Sequence, residues 1–483
     1  MGTKLQSRNC LLAISGLFIL VLLIYLYRID FPINWHPDEY GKYLQLHSDR
    51  FNFRHPQLML QLVSAVDGVF SISSMGSVII SGRIVSAASI AVACCAFALF
   101  VFNRFGIIFG LLAGILIALS PTVFVSGHYF KEDAVLLMGI AISMLSMQRY
   151  ERDQSIWSSI LVGVAVGAAC ASKYVGVLMA IPAAFVFIRS RASVSNILAA
   201  TLSSIVFFCA MNYPAFLAEG SIYEGFKYEA IHVATEHNGL RWGPTSPRTL
   251  IHYFENVSLL ALILFIIGGV SSLKKLTLMD GVVLLTPILW LFTVQLSAVS
   301  FVRYAMPAIA LTLVGAVWFS AKLCEGASSS LVQRALILVL SVAGILSTFQ
   351  TWKIVSALRS NPRDRTTEWV RTNLPTDSVI AADFYAGLQK SIPQKISDHS
   401  WNLPKGNTPE SLREQGITHI VVSSSSFKRY FDPYVTLSPS RGMPDKKFYT
   451  ALFSNYKPIH VERGYLASDE IISSDILVFD IRK

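Results

Sequence analysis

The chain has 483 residues, of which 53% are hydrophobic and only 14% charged, and its mean hydropathy is +0.52. A soluble globular chain carries roughly a quarter charged residues, so the composition excludes an ordinary soluble protein and points to a polytopic membrane protein. The formal net charge of +10 does not make nucleic acid a partner: no basic cluster interleaves with aromatics, and positive charge in membrane proteins gathers in cytoplasmic loops.

Taken in chain order, the N-terminus pairs a basic start, Lys4 and Arg8, with a long apolar core and no small-residue cleavage site, which reads as a retained signal anchor. Reading apolar runs as spans of about 17 to 25 residues gives about eleven candidates. They centre on Leu11–Tyr27, Ile84–Phe102, Ile107–Leu119, Ala134–Met147, Ile156–Ala171, Val175–Ile188 and Ile197–Met211, then Val257–Val270, Gly281–Leu296, Ala305–Phe319 and Ala335–Thr348. The six cysteines show neither metal-ligand spacing nor a disulfide framework.

With the N-terminus inside, every expected cytoplasmic loop holds a basic residue: Arg104, Arg149 and Arg152, Arg189 and Arg191, Lys274 and Lys275, Lys322 and Arg334. That is what the positive-inside rule requires. The outside then receives the first loop, 28–80, a long loop, 216–256, and the C-terminus. From about Asn361 the composition becomes that of a soluble domain. "RTTEWVRTNLP" reads as an amphipathic helix, while 378–382, "GITHIVVSSSS" and "DILVFDIRK" read as strands. The expected architecture is an all-α multi-span bundle over 1–355 and a small α/β extracytoplasmic domain over 361–483.

Four polar clusters fall on the outer side. In "INWHPDEYGKY", Asp38 and Glu39 follow the first span, and "RHPQL" with His55 comes later in the same loop. In "SGHYFKEDAVLL", His128, Lys131, Glu132 and Asp133 stand at the mouth of the fourth span. Lys173 in "ASKYVG" is third, and Arg303 with Tyr304 in "SFVRYAMP" is fourth. Each has an ordinary explanation: solvated loop charge, carboxylates at a helix N-terminus, or a cation that snorkels to the interface. Arg83 lies inside the second apolar run, where an arginine is costly unless paired or facing a cavity. Together the clusters put carboxylates and cations on one side. A hydroxyl acceptor needs a general base, and a phosphate leaving group needs fixed positive charge, so glycosyl transfer from a lipid-linked phosphosugar suits them.

The order "HPDEYGKY", "RHPQL", "GRIVSAAS", "SGHYFKEDAVLL", "ASKYVGVL", "RYAMPAIAL", "RTTEWVRTNLP" resembles the GT-C glycosyltransferases. The branch it resembles contains the protein O-mannosyltransferases and the aminoarabinose transferases of lipid A. The resemblance implies a GT-C multi-span fold, a polyprenyl- or dolichyl-phosphate sugar donor, and inverting catalysis on the extracytoplasmic face. It places the catalytic carboxylates on Asp38, Glu39 and Asp133, one of the first two being the base. It places the donor phosphate on Lys173 and Arg303, with Arg83 and Lys131 as further candidates, and His55, His128 and Tyr304 beside them. "HPQL" departs from the more usual "HPPL", and no β-trefoil repeat marks the C-terminal region, so a eukaryotic protein-mannosylating role is not implied. A plasma membrane of bacterial or archaeal type is expected.

The acceptor, a glycan, lipid or protein, is expected to meet the long outer loop, where His237, Arg241 and Trp242 are the candidate contacts. No cofactor is expected; carboxylate oxygens would be the ligands of a divalent Mg or Mn, which is not favoured. The competing readings are a transporter or flippase of lipid-linked sugars and a non-catalytic accessory member. Transporter sites lie near the midplane, whereas these polar residues gather at span mouths.

Overall fold

A computed structural model describes residues 2–31, 36–47, 51–217, 222–326, 330–359, 361–389, 391–397, 403–464 and 474–482. It divides into two units.

The first unit comprises Met1–Ala230, Leu250–Val294 and Arg303–Thr351. Its helices begin with α1 (Gly2–Leu26), α2 (Pro37–His47), α3 (Leu58–Phe70) and α4 (Met75–Phe105). Then follow α5 (Ile107–Ala118), α6 (Pro121–His128), α7 (Glu132–Asp153), α8 (Ile156–Ser172), α9 (Ala180–Arg189) and α10 (Val194–Met211). The chain continues through α11 (Pro214–Leu217), α12 (Ile222–Ala234), α13 (Arg248–Asn256), α14 (Leu259–Ser272), α15 (Leu278–Gln295), α16 (Val302–Gly326) and α17 (Ser330–Arg359).

Serine caps start several of these helices. Ser74, Ser155 and Ser193 each accept the N–H three residues on, which satisfies a donor that the helix itself leaves open. Gly106, at φ +88°, ends α4 and opens α5, a conformation that a side chain would oppose. Pro121 occupies the first turn of α6, where its missing N–H is no loss.

All eleven apolar runs are helical, but the count of eleven spans is not reproduced. Among the described residues, six helices are long and apolar enough to cross a membrane, or up to eight if each bent pair is one span. The bent pairs are α5 with α6, at 64°, and α13 with the helical stretch that begins at α14, at 100°. The runs at Ile156–Ser172 and Tyr174–Arg189 are shorter apolar helices. The chain is an integral, multi-pass membrane protein.

The second unit comprises Ile231–Thr249, Gln295–Val302 and Trp352–Lys483. It holds β1 (Leu240–Arg241), α18 (Pro362–Asn373), β2 (Val379–Ala382), β3 (Lys395–Ser397), α19 (Pro409–Glu414), β4 (His419–Ser423), α20 (Ser424–Phe427), β5 (Thr436–Leu437), α21 (Gly442–Asn455), β6 (Pro458–Glu462) and β7 (Ile476–Asp480). Five strands form a mixed sheet in the order β3-β2-β4-β7-β6, with β2 parallel to β3 and β4 and the other pairs antiparallel. The pleat sends alternate residues to opposite faces. Ile380, Val421 and Val478 pack with Val370 on one side; Ala381, Ile420 and Phe479 pack with Phe448 and Leu452 on the other. The expected helix and three strands of this region are present; β3 and β6 were not anticipated.

The long loop 216–256 is largely structured, containing α12, β1 and α13. Strand β1 pairs antiparallel with β5, and Trp242 donates its indole N–H to Asp432 Oδ2 at 2.9 Å. This part of the loop is therefore stitched into the second unit.

Candidate active site

Helix α2 begins with two carboxylates whose surroundings differ. Glu39 is fully buried and accepts both Nε and Nη2 of Arg83 at 2.8 Å. It also accepts the Phe130 N–H at 3.1 Å. Arg83 also donates through Nη1 to the carbonyls of Ile29 and Phe31, at 3.0 and 2.6 Å, and lies 3.6 Å from the Phe31 ring centroid. A paired, bidentate guanidinium–carboxylate is what makes charge tolerable at such depth. Arg83, expected as a phosphate contact, and Glu39, expected as a candidate base, both have 0% side-chain exposure and are bonded to each other.

Asp38 keeps 44% of its side chain exposed while Lys131 Nζ lies 2.6 Å from its Oδ2. Its own N–H donates to His36 Nδ1 at 3.2 Å. The crowded surroundings alone would push the Asp38 carboxyl up. Lys131 foremost, with Arg303 and Lys42, outweighs them and holds it well below the ordinary carboxylate range. Burial first, then Lys131, pushes the buried His36 well below its usual range, so it is neutral at neutral pH.

Two further ion pairs stand at neighbouring helix ends. Lys42, one turn after Asp38 on α2, pairs with Glu132 in the first turn of α7. Lys173, in extended backbone just past α8, donates to Asp133 Oδ1 at 2.9 Å. The Lys173 ammonium lies 4.9 Å from the Tyr304 ring, and the Arg303 guanidinium lies 5.5 Å from the same ring. The shared Tyr304 ring puts Arg303 beside Lys173, and its positive charge lowers the proton affinity of Asp38 and Lys131. Around the sealed Glu39–Arg83 pair, four cations thus face three carboxylates: Lys42, Lys131, Lys173 and Arg303 against Asp38, Glu132 and Asp133. A region with excess positive charge and one open carboxylate is suited to an anionic ligand next to a proton acceptor.

His55 joins this group from the loop before α3. Burial pushes it down to about 4, although Glu132 opposes the shift, so it is neutral at neutral pH. His128 does not join. It is buried at the end of α6, bonded through Nδ1 to the Phe124 carbonyl at 2.9 Å and stacked on Tyr25, an ordinary core histidine. The acceptor-loop candidates lie in the second unit. Trp242 is 9% exposed and packs in the sheet's core, so its part is to anchor the loop. Arg241 sits in β1, and the His237 ring meets Phe301 edge-on at 5.2 Å.

Sequence reasoning overlooked Lys42, His36 and Glu229, and set Glu132 aside as a helix cap. Lys42 was legible as the i+4 neighbour of Asp38 on a helix. Glu229 of α12 is half-buried, and burial, eased by Lys173, pushes its carboxyl up; no local signal marks it. Among the described residues, no three His, Cys, Asp or Glu side chains are grouped to hold a metal ion.

Comparison with known proteins adds to this geometry. The profile of the family described as dolichyl-phosphate-mannose-protein mannosyltransferase matches residues 64–213. No curated protein matches the sequence. Among solved structures, ArnT from Cupriavidus metallidurans bound to undecaprenyl phosphate superimposes with a TM-score of 0.55 at 11% identity, covering 96% of this chain and 97% of that one. The Archaeoglobus fulgidus oligosaccharyltransferase tethered to an acceptor peptide gives a TM-score of 0.51 at 11% identity, covering 90% of this chain and 72% of that one. AglB from the same organism, in complex with an inhibitory peptide and a dolichol-phosphate, gives 0.50 at 10% identity, covering 86% and 70%.

The protein therefore has the fold of the GT-C membrane glycosyltransferases. Its resemblance to the branch of the protein O-mannosyltransferases and aminoarabinose transferases holds in the family match as well as in the motifs.

Proposed function

We propose that the protein is a glycosyltransferase that moves a sugar from a polyprenyl- or dolichyl-phosphate carrier to a hydroxyl acceptor, on the extracytoplasmic face and with inversion. The observation that carries this reading is Asp38: an ionised, partly open carboxylate within reach of Lys131 and set among Lys42, Lys173 and Arg303. The solved relatives of the same fold hold undecaprenyl phosphate and dolichol-phosphate, which supports a lipid-phosphate carrier here.

The acceptor oxygen attacks the anomeric carbon from the face opposite the phosphate and gives its proton to Asp38. As the new C–O bond forms, the anomeric C–O bond to phosphate breaks, and the carrier departs as the lipid monophosphate. The leaving phosphate gains one negative charge, which Lys173, Arg303 and Lys131 stabilise where it develops. The low affinity of Asp38 for protons keeps it ionised before attack. The hydroxyl becomes acidic only as its oxygen bonds to carbon, so proton transfer falls late in the step. Among the three carboxylates expected from the sequence, Asp38 is the base; Asp133 holds Lys173 in place through one oxygen.

Purified protein in detergent, given polyprenyl-phosphate sugars and hydroxyl acceptors, tests the reading. Sugar transfer in a single compartment is expected. Binding of the carrier lipid without transfer to any acceptor would favour a transporter or an accessory role instead.

A further inference from the structure

Glu132 and Asp133 open α7 side by side, and each gives one carboxylate oxygen to a lysine: Glu132 to Lys42, Asp133 to Lys173. Their second oxygens, Glu132 Oε2 and Asp133 Oδ2, are buried and bond to no other described residue. The two residues are 3% and 2% exposed. A buried charged acceptor without a donor is costly, and here the cost is met twice at consecutive positions beside the open Asp38.

The chemistry of the missing partner follows from what surrounds it. An ionised carboxylate only accepts hydrogen bonds, so the partner must donate. A phosphate oxygen of the leaving group does not. A divalent cation would sit against the ammonium groups of Lys42, Lys131 and Lys173, at a like-charge penalty. A neutral polyol donates without adding charge. We propose that Glu132 and Asp133 form the sugar subsite of the donor, their second oxygens accepting hydrogen bonds from two ring hydroxyls and so selecting the sugar. This rests on the lipid-phosphate sugar reading above and deepens it. Lys173 and Lys42 fix the two carboxylates in place while Lys173 also faces the phosphate, so sugar and phosphate are registered by one set of ion pairs.

The test compares the affinity of the purified full-length protein for polyprenyl phosphate with its affinity for polyprenyl-phosphate glucose, mannose and galactose. The readout is the ratio of sugar-bearing to bare lipid affinity. For the preferred hexose the ratio is expected to fall roughly ten- to hundredfold in Glu132→Gln and in Asp133→Asn, the range for a hydrogen bond to a charged group. A purely structural role would weaken both lipids in parallel and keep the ratio, which would overturn the subsite. Deoxy analogues of the preferred hexose need no mutation: removal of a contacted hydroxyl should cost the wild-type protein a similar factor, and equal binding of every deoxy analogue sinks the proposal. Equal binding of bare and sugar-bearing lipid overturns the subsite alone; binding of neither overturns the functional reading with it.

Discussion

Consecutive side chains leave a helix about 100° apart, and Asp38 and Glu39 take different surroundings. Glu39 faces α4 and meets Arg83; Asp38 faces Lys131 and solvent. Asp38→Asn should therefore preserve folding and membrane insertion while transfer falls by about 10²–10⁴, the usual contribution of a general base; near-wild-type turnover would remove Asp38 from the chemistry. Glu39→Gln should act on stability instead. Breaking a buried pair strands the other charge and costs about 3–5 kcal/mol, whereas a well-packed apolar replacement of both partners is often tolerated. Melting curves in detergent should show a large loss for Glu39→Gln and recovery when Arg83→Met is added to Glu39→Leu.

The sign of the pH effect follows from Lys131. Asp38 works as a base only when ionised, and the cations around it hold its carboxyl well below the ordinary range. The acid limb of kcat/KM from this group should then lie below about pH 4. Lys131→Met removes the main opposing cation and leaves the crowding that raises the carboxyl, so the limb should move upward into the accessible range. A pH–rate profile unchanged in shape would show that Lys131 does not set the charge of Asp38. At this scale the sequence marked the acidic pair but not its division of labour. An arginine inside an apolar run signals either a site or a partner, and only the bonded carboxylate decides between them.

At the scale of elements, the apolar runs were legible because burial and lipid exposure both demand apolar side chains, and helix is the form that satisfies its own backbone bonds in lipid. Span count was not, because bends at Ser120-Pro121 and before Leu259 divide apolar stretches without adding charge. A packing signal in "GVAVG" was also overlooked. Gly163 and Gly167 lie one turn apart on α8 and bring it onto α10. A Cβ at Gly163 would meet the Ala200 carbonyl and Ser203 Oγ, and one at Gly167 would stand 2.6 Å from the Ser204 carbonyl. Small residues at this spacing let helix backbones approach where no hydrophobic force acts between them. Gly163→Leu should separate the helices and lower the melting temperature in detergent. Gly16→Leu, where nothing lies within 4 Å, should leave it near the wild-type value. Equal effects would mean that the close approach of α8 and α10 does not stabilise the bundle.

At the scale of the whole molecule, the loop 216–256 was the least legible part. Its stitching into the second unit depends on Trp242 bonding to Asp432, 190 residues away, and no local pattern encodes such a partner. The sidedness, by contrast, rests on a property that sequence carries well. Cytoplasmic loops retain Lys and Arg because short basic segments resist translocation; Arg104, Arg149, Arg152 and Arg189 fall at the C-terminal ends of α4, α7 and α9, and Arg191 just past α9, whereas Asp133 stands at the N-terminal end of α7. The site residues come from the N-terminal ends of α2, α7 and α16 and the C-terminal end of α8, so one measurement of side applies to all of them. Asn52 is exposed in the loop between α2 and α3, Lys405 is exposed in the C-terminal region, and Arg191 is exposed between α9 and α10. In a background freed of the six native cysteines, Asn52→Cys and Lys405→Cys should react with a membrane-impermeant maleimide on intact cells, and Arg191→Cys only after permeabilisation. The reverse pattern would place the carboxylates and cations in the cytoplasm, where a carrier-linked donor would have to be used before it crosses the membrane. Protection of Asn52 together with labelling of Lys405 would separate the first loop from the C-terminal region and dissolve the common face on which the catalytic reading stands.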